Sequence, residues 1–174
     1  MKKQDILENQ VKIVFLSIGS NLGNKKKNIE LAKNKLNGDD LKILECSKNY
    51  ETYSWPNKKN PKFINSILKI ETTLSPEKLF IKCLKIENEL GRVRNKKNDP
   101  RTCDIDIIDY NQMIVEEKKH LNLRIPHPRM HERSFVLIPL YELSKTWIHP
   151  IKKKSIKYLI NSLNISDLTA IKLI

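Results

Sequence analysis

Residues 12–18 (KIVFLSI) form a nearly unbroken apolar run closed by Gly19, the pattern of a buried strand. From Asn24 to Leu36 the apolar positions Ile29, Ala32 and Leu36 recur at helical spacing, with Gly38 as the stop. Three lysines in the first turn of that helix oppose its dipole. Residues 41–52 and 62–72 read as two strands joined by a polar loop that carries Trp55, Pro56 and Pro61. Ser75 then caps a helix with Pro76 in its first position, running to Leu90 and stopped by Gly91. A basic loop, 92–101, leads into a strand at 103–110. Beyond it lie a short hairpin over 112–125, an Ile-Pro-His-Pro turn, and an apolar segment, 133–143, whose structure Pro139 leaves open. The order strand, helix, strand, strand, helix, strand predicts an α+β ferredoxin-like sandwich. Many unrelated functions share that fold, so chemistry has to come from particular residues.

Length and composition narrow the field. A chain of 174 residues with 39% hydrophobic positions fits one domain with one real core. The motif-bearing part spans about 12–150, and 151–174 reads as a basic tail with one weak amphipathic stretch. No segment approaches the roughly 18 apolar residues of a membrane span, and the amino terminus lacks the apolar stretch of a secretory signal. Cys46, Cys83 and Cys103 are odd in number and far apart, which argues against a disulfide framework or a structural zinc site. A cytoplasmic location is expected. The net charge of +13 suits an anionic ligand, yet lysines coat almost every exposed helix face, so most of it reads as solvated surface.

The strongest local signal is Arg101-Thr102-Cys103-Asp104-Ile105-Asp106-Ile107. On a strand, Cys103, Ile105 and Ile107 point into the core while Asp104 and Asp106 project together from the other face. Two carboxylates that close repel unless a cation sits between them, and magnesium suits such a pair. On this reasoning, removing either acid should leave the fold intact or even stabilise it. The competing reading is an exposed strand whose polar face happens to carry two acids. Arg92, Arg94, Lys96, Lys97 and Arg101 precede the pair, and clustered guanidinium groups beside metal carboxylates are what a polyphosphate requires. Glu87 falls near the centre of the apolar face made by Phe80, Cys83, Leu84, Ile86 and Leu90. It is functional, half of a buried ion pair with Arg92 or Arg94, or both. Phe63 and Asn65 share a strand face, an aromatic plane beside an amide, as a flat heterocycle would need, although from these residues alone a core phenylalanine is the better reading. Gly19-Ser20-Asn21-Leu22-Gly23 spends two of the chain's four glycines on a tight turn or a close approach.

The segments SIGSNLGN, YET followed by FIN, IENELGRVR, DPRTCDIDII and IPHPRMHERSFVLIPL resemble, in order and spacing, the 6-hydroxymethyl-7,8-dihydropterin pyrophosphokinase family of folate biosynthesis, over about Ile13 to Pro150. The resemblance implies a three-layer α/β/α sandwich with a mainly antiparallel sheet. It implies transfer of pyrophosphate from ATP to the pterin hydroxyl, with AMP leaving. Asp104 and Asp106 would bridge two magnesium ions. Arg94 and Arg101 would grip the polyphosphate, Arg92 would support the same loop, and Glu87, Ile107, His127 and Arg133 would lie on the ATP side. Thr52, Tyr53, Trp55, Phe63, Asn65 and Phe135 would line the pterin slot. Asn98 stands where the family often has a tryptophan, Tyr53-Ser54 where Pro-Pro is usual, and Asn122 where some members place a basic residue. ATP and the pterin are the expected partners, with no nucleic acid, membrane or obligatory protein partner. An RNA-binding module of the same topology would need adjacent aromatics on its central strands, and Asp104 and Asp106 would repel a phosphate backbone there. A relative that keeps the pocket but has lost turnover is the other rival, and the intact acids and arginines oppose it.

Overall fold

A continuous apolar strand needs cover on both faces, and β1 (Lys12–Ser20) has it: every residue from Val14 to Ser20 is buried. The computed structural model describes residues 10–54, 57–93, 98–118 and 121–174. In it β1 lies between β4 (Phe63–Thr72) and β5 (Asp104–Tyr110), antiparallel to both. The other edge of β4 is shared by β2 (Leu41–Cys46) and β3 (Tyr50–Thr52). The order is therefore that of the expected ferredoxin-like sheet.

The single strand expected over 41–52 is interrupted at Ser47–Asn49. The Ser47 hydroxyl accepts from the Ile67 amide at 2.9 Å, taking a position that a ladder carbonyl would otherwise hold. A side chain thus competes with the backbone for one rung and breaks the run.

Helices α1 (Lys25–Leu36) and α2 (Pro76–Glu89) cover one face. Asn24 caps α1 by accepting from the Lys27 amide at 3.1 Å, while Ile29, Ala32 and Leu36 turn inward. Ser75 caps α2, Pro76 opens it, and Gly91 ends it at a φ of 79°. Their apolar stripes meet Val14, Leu16 and Ile18 of β1, Leu68 and Ile70 of β4, and Ile105 and Ile107 of β5. A hairpin of β6 (Val115–Lys118) and β7 (Leu123–Ile125) closes that core from the side.

The opposite face is covered by α3 (Ser134–Leu143), which settles the segment left open by Pro139. Proline costs an interior helix position about 3 kcal/mol. Here Val136, Leu137 and Leu140 are fully buried against Phe15, Ile67 and Ile108, and that burial outweighs the lost amide bond. The carboxy-terminal segment is more than a basic tail. Its α4 (Ile156–Asn161) buries Ile156 and Leu159 beside α3. A turn of helix, α5 (Ile165–Thr169), follows, and β8 (Lys172–Leu173) then pairs with β3 as an added strand. Among the described residues no helix is long and apolar enough to cross a membrane.

A register shift between Phe15 and Leu16 places a bulge in β5 opposite them, so the alternation slips and Tyr110 rejoins Ile107 in one layer while Ile108 lies in the other. It also leaves Asp109 buried, accepting from the Trp147 indole at 3.0 Å and the Gln112 amide at 2.9 Å. Behind Trp147, the buried His149 ring accepts from the amides of Ile151 at 3.2 Å and Lys152 at 3.3 Å. Burial, with His131 and Lys152 nearby, pushes the His149 imidazole down to about 4. An unfolded histidine titrates near about 6.5, so the stability that neutral His149 preserves is present in full above that pH. It is lost as pH falls towards 4. His149→Asn keeps an acceptor for the two amides without a titrating ring. This substitution is expected to recover on the order of 2 kcal/mol of the acid-induced loss. Urea denaturation of both proteins from pH 7 to pH 4 measures the difference.

Candidate active site

Alternation along three neighbouring strands sends one set of side chains to the α3 face: Ser17 and Gly19 from β1, Phe63 and Asn65 from β4, Asp104 and Asp106 from β5. The register aligns Gly19 with both Asn65 and Asp104, and Ser17 with Asp106. Farther along the same face Phe15 and Ile67 are core beneath α3. At this end α3 is only beginning, and the face opens into a cavity of about 340 Å³.

Of the residues singled out by sequence, this cavity gathers Thr52, Tyr53, Phe63, Asn65, Arg101, Asp104, Asp106, His127, Arg133 and Phe135. Three others lie behind it. The Ile107 side chain is buried in the core under α1 and α2, so only its backbone could serve a ligand. Glu87 and Arg92 form the support beneath Asp104. Trp55 and Arg94 lie outside the described residues.

Glu87 resolves towards the ion pair. Its Oε1 accepts from Arg92 Nη1 at 2.6 Å and from the Ile105 amide at 2.8 Å, tying α2 to the start of β5. Arg92 Nη1 also donates to Asp104 Oδ1 at 2.5 Å, and Arg101 Nη2 donates to Asp104 Oδ2 at 2.6 Å. Burial alone would raise the Asp104 carboxyl, but Arg101 and Arg92 hold it below the ordinary carboxylate range. Asp106 is more open. Its Oδ2 lies 3.5 Å from Arg133 Nη1 and 3.8 Å from His127 Nε2. Burial lowers the His127 imidazole despite Asp106, with Arg133 and Arg129 adding to the effect.

These contacts correct one expectation. The two acids do not need a divalent ion to be tolerated, because guanidinium groups already neutralise them, so removing Asp104 should destabilise. The same guanidinium groups cover aromatic rings: Arg101 Cζ lies 5.0 Å from the Phe63 centroid and Arg133 Cζ 5.4 Å from that of Phe135.

Asn65 donates to Thr52 Oγ1 at 2.9 Å, and both residues are buried. Gly19 makes room for them, since a Cβ there would sit 2.8 Å from Asn65 Oδ1 and 3.3 Å from the Phe63 ring. Asn21 went unremarked as a site residue although the glycine-bearing turn contains it. Its Oδ1 accepts from the Arg101 amide at 2.7 Å, while its Nδ2 donates to Ser54 Oγ and the Pro61 carbonyl, both at 3.1 Å. One buried amide thereby fixes the arginine loop to the loop after β3. Sequence reasoning also missed Lys58 and Arg129, which line the cavity. Arg129 sits inside the IPHPRMHER stretch, and that position was the available signal; Lys58 is one lysine among many.

An α+β sandwich whose open sheet end joins two acids to several guanidinium groups is a phosphate-handling class of architecture. A family model described as 7,8-dihydro-6-hydroxymethylpterin-pyrophosphokinase (HPPK) matches residues 15–145. The 2-amino-4-hydroxy-6-hydroxymethyldihydropteridine pyrophosphokinase of Aquifex aeolicus is 38% identical over 144 residues, 83% of this chain and 88% of that one. The folic acid synthesis protein fol1 of Pneumocystis carinii is 40% identical over 156 residues, 90% of this chain but 20% of that protein, so this chain spans about one fifth of that relative. A solved Plasmodium falciparum HPPK-DHPS structure shares the fold with a TM-score of 0.71 at 16% identity, covering 95% of this chain and 48% of that one. The chain belongs to the HPPK family.

The packing sets the stability cost of four substitutions. Asp104→Ala strips a counter-charge from Arg92 and Arg101 and is expected to cost on the order of 2 kcal/mol. Asp106→Ala should cost less than about 1 kcal/mol in the same urea titration, because Asp106 is more exposed and its contacts are long. Gly19→Ala crowds Asn65 and should cost about 1–3 kcal/mol. A Cβ at Gly38 meets nothing within 4 Å, so Gly38→Ala should change thermal stability little by comparison.

Proposed function

We propose that this chain transfers pyrophosphate from ATP to the hydroxyl of 6-hydroxymethyl-7,8-dihydropterin, giving AMP and the pterin diphosphate. The observation that carries the reading is a single cavity lined both by Asp104 and Asp106 with Arg101 and Arg133, and by Thr52, Asn65, Phe63 and Phe135. Family membership supports the same reaction.

Among the described residues no three His, Cys, Asp or Glu side chains cluster as a metal site. Two carboxylates nevertheless fit magnesium, which takes one or two protein oxygens and fills its remaining positions with water and phosphate. Asp104 and Asp106 would hold it, two ions being expected, and it would neutralise charge developing on the phosphates. Asp106, whose cationic neighbours stand 3.5 Å or more away, is the more accessible ligand.

The chain's own groups do the positioning. Arg101 and Arg133 present guanidinium donors to the polyphosphate, and the buried Arg101 Nε, which has no acceptor among the described residues, is a donor suited to it. Arg92 and Glu87 keep Asp104 and Arg101 in place from behind. Asn65 and Thr52 meet the hydrogen-bonding edge of the pterin, and the Phe63 and Phe135 faces, now covered by guanidinium groups, are the surfaces for its ring. Arg94, Trp55 and the Ile107 backbone complete the proposed ATP and pterin contacts. Catalysis of this kind rests on in-line orientation and charge neutralisation, without a covalent intermediate.

AMP release from ATP, followed with and without the hydroxymethyl dihydropterin, tests the proposal. AMP should form only when both substrates and magnesium are present; binding without AMP, or indifference to the pterin, would overturn it. Asp106→Asn is expected to lower kcat by at least about 100-fold. Phe135→Ala is expected to raise the pterin dissociation constant about tenfold and to change that of ATP less than twofold.

A further inference from the structure

The matched family region ends at residue 145, yet the cavity wall does not. Ser166, Asp167 and Ala170, in and just after α5, line the same cavity as Thr52, Asn65 and Phe135. We infer that this carboxy-terminal segment is the outer wall of the heterocycle subsite, and that Asp167 and Ala170 are specificity-determining residues there. The inference rests on the reading of the cavity as a pterin and ATP site, and deepens it.

Three observations support the assignment. The first is anchorage. The backbone of β8 pairs with β3, Tyr50 opposite Leu173 and Glu51 opposite Lys172, and the Ile174 amide donates to the Asn49 carbonyl at 3.1 Å. The next residue of β3 is Thr52, the partner of Asn65. The wall is therefore hydrogen-bonded to the strand that sets the amide edge of the subsite. At its other end the segment continues from α4, whose Ile156 and Leu159 are buried in the α3 layer.

The second is charge. Arg101 and Arg133 neighbour the paired acids of β5, where a polyphosphate belongs. The wall contributes a carboxylate, Asp167, beside Glu132, and Asp167 forms no ion pair with a described residue. A carboxylate repels phosphate and accepts from the N–H groups that edge a neutral aminoheterocycle. A carboxylate on this wall thus disfavours a phosphate beside it and suits a neutral heterocycle.

The third is size. Ala170 is the smallest side chain the segment sends to the cavity, so adding bulk there narrows the wall without touching the acids or arginines. Discrimination of this steric kind is worth about 10-fold or more for a small change in fitted volume.

The test compares the full-length wild-type protein with Ala170→Leu, Asp167→Asn and Thr169→Ala, the last a change on α5 outside the cavity lining. KM for hydroxymethyl dihydropterin and for ATP are measured separately, and pterin binding is followed by its own fluorescence. Ala170→Leu should raise the pterin KM and dissociation constant about tenfold, and Asp167→Asn about threefold, with the ATP KM within twofold in both. Thr169→Ala should leave all values within twofold. Pterin constants unchanged in both wall variants, equal changes for ATP, or an effect of Thr169→Ala as large as that of Ala170→Leu would each overturn the inference. If the wild-type protein itself neither binds the pterin nor forms AMP, the proposed function fails and this inference falls with it.

Discussion

The chain of charges from Glu87 through Arg92 and Asp104 to Arg101 is the interaction on which the site depends. Each member would be costly to bury alone, and each neutralises the next. The chain is also a mechanical connection, since Glu87 belongs to α2, Asp104 to β5 and Arg101 to the loop before it. Glu87 additionally accepts the Ile105 amide, so the position of β5 relative to α2 is set by the same carboxylate that balances the arginines. Packing of the α1–α2 layer and presentation of Asp104 on the far face are therefore coupled through one residue.

Such an arrangement holds arginines ready without an anion present. Asp104 stands in for negative charge, and the two aromatic rings shelter the guanidinium planes. On the proposed reading, a polyphosphate entering the cavity would exchange one set of charged partners for another, which avoids desolvating a free guanidinium at the moment of binding. The excess of lysine elsewhere has no part in this local balance. It lies on exposed helix faces and at rim positions such as Lys58, where it contributes to long-range attraction rather than to geometry.

Local periodicity carried much of this into the sequence. Alternation alone placed Asp104 with Asp106 and Phe63 with Asn65, and the register shows all four on one face. The helical wheel brought Glu87 inside, as found. What periodicity could not report was partnership across the fold. Whether ions or guanidinium groups balance Asp104 depends on where the 92–101 loop returns, and that is a tertiary fact. The bulge in β5 is also invisible to a period-two count, which would set Asp109 on the face of Ile105 and Ile107, whereas Trp147 of the α3 layer and Gln112 hold it. Pro139 left its segment open, and the carboxy-terminal segment looked weak, for a related reason: local preference is overridden by burial against Ile67, Ile108 and Phe15. Asn21 was hidden because an asparagine in a glycine turn looks like turn chemistry, when its amide in fact bridges two distant loops.

Strand β4 serves two masters along its length. Ile67 is locked in the core beneath α3, and two residues away on the same face Asn65 stands in the open cavity. A pleated strand advances about 6.6 Å over two residues and has no joint between them. The packing of α3 on Ile67 therefore works as a fixed ruler for the amide that Asn65 presents to the cavity. Divergence in that hydrophobic layer among relatives would retune the site from a distance, with every cavity-lining side chain left intact.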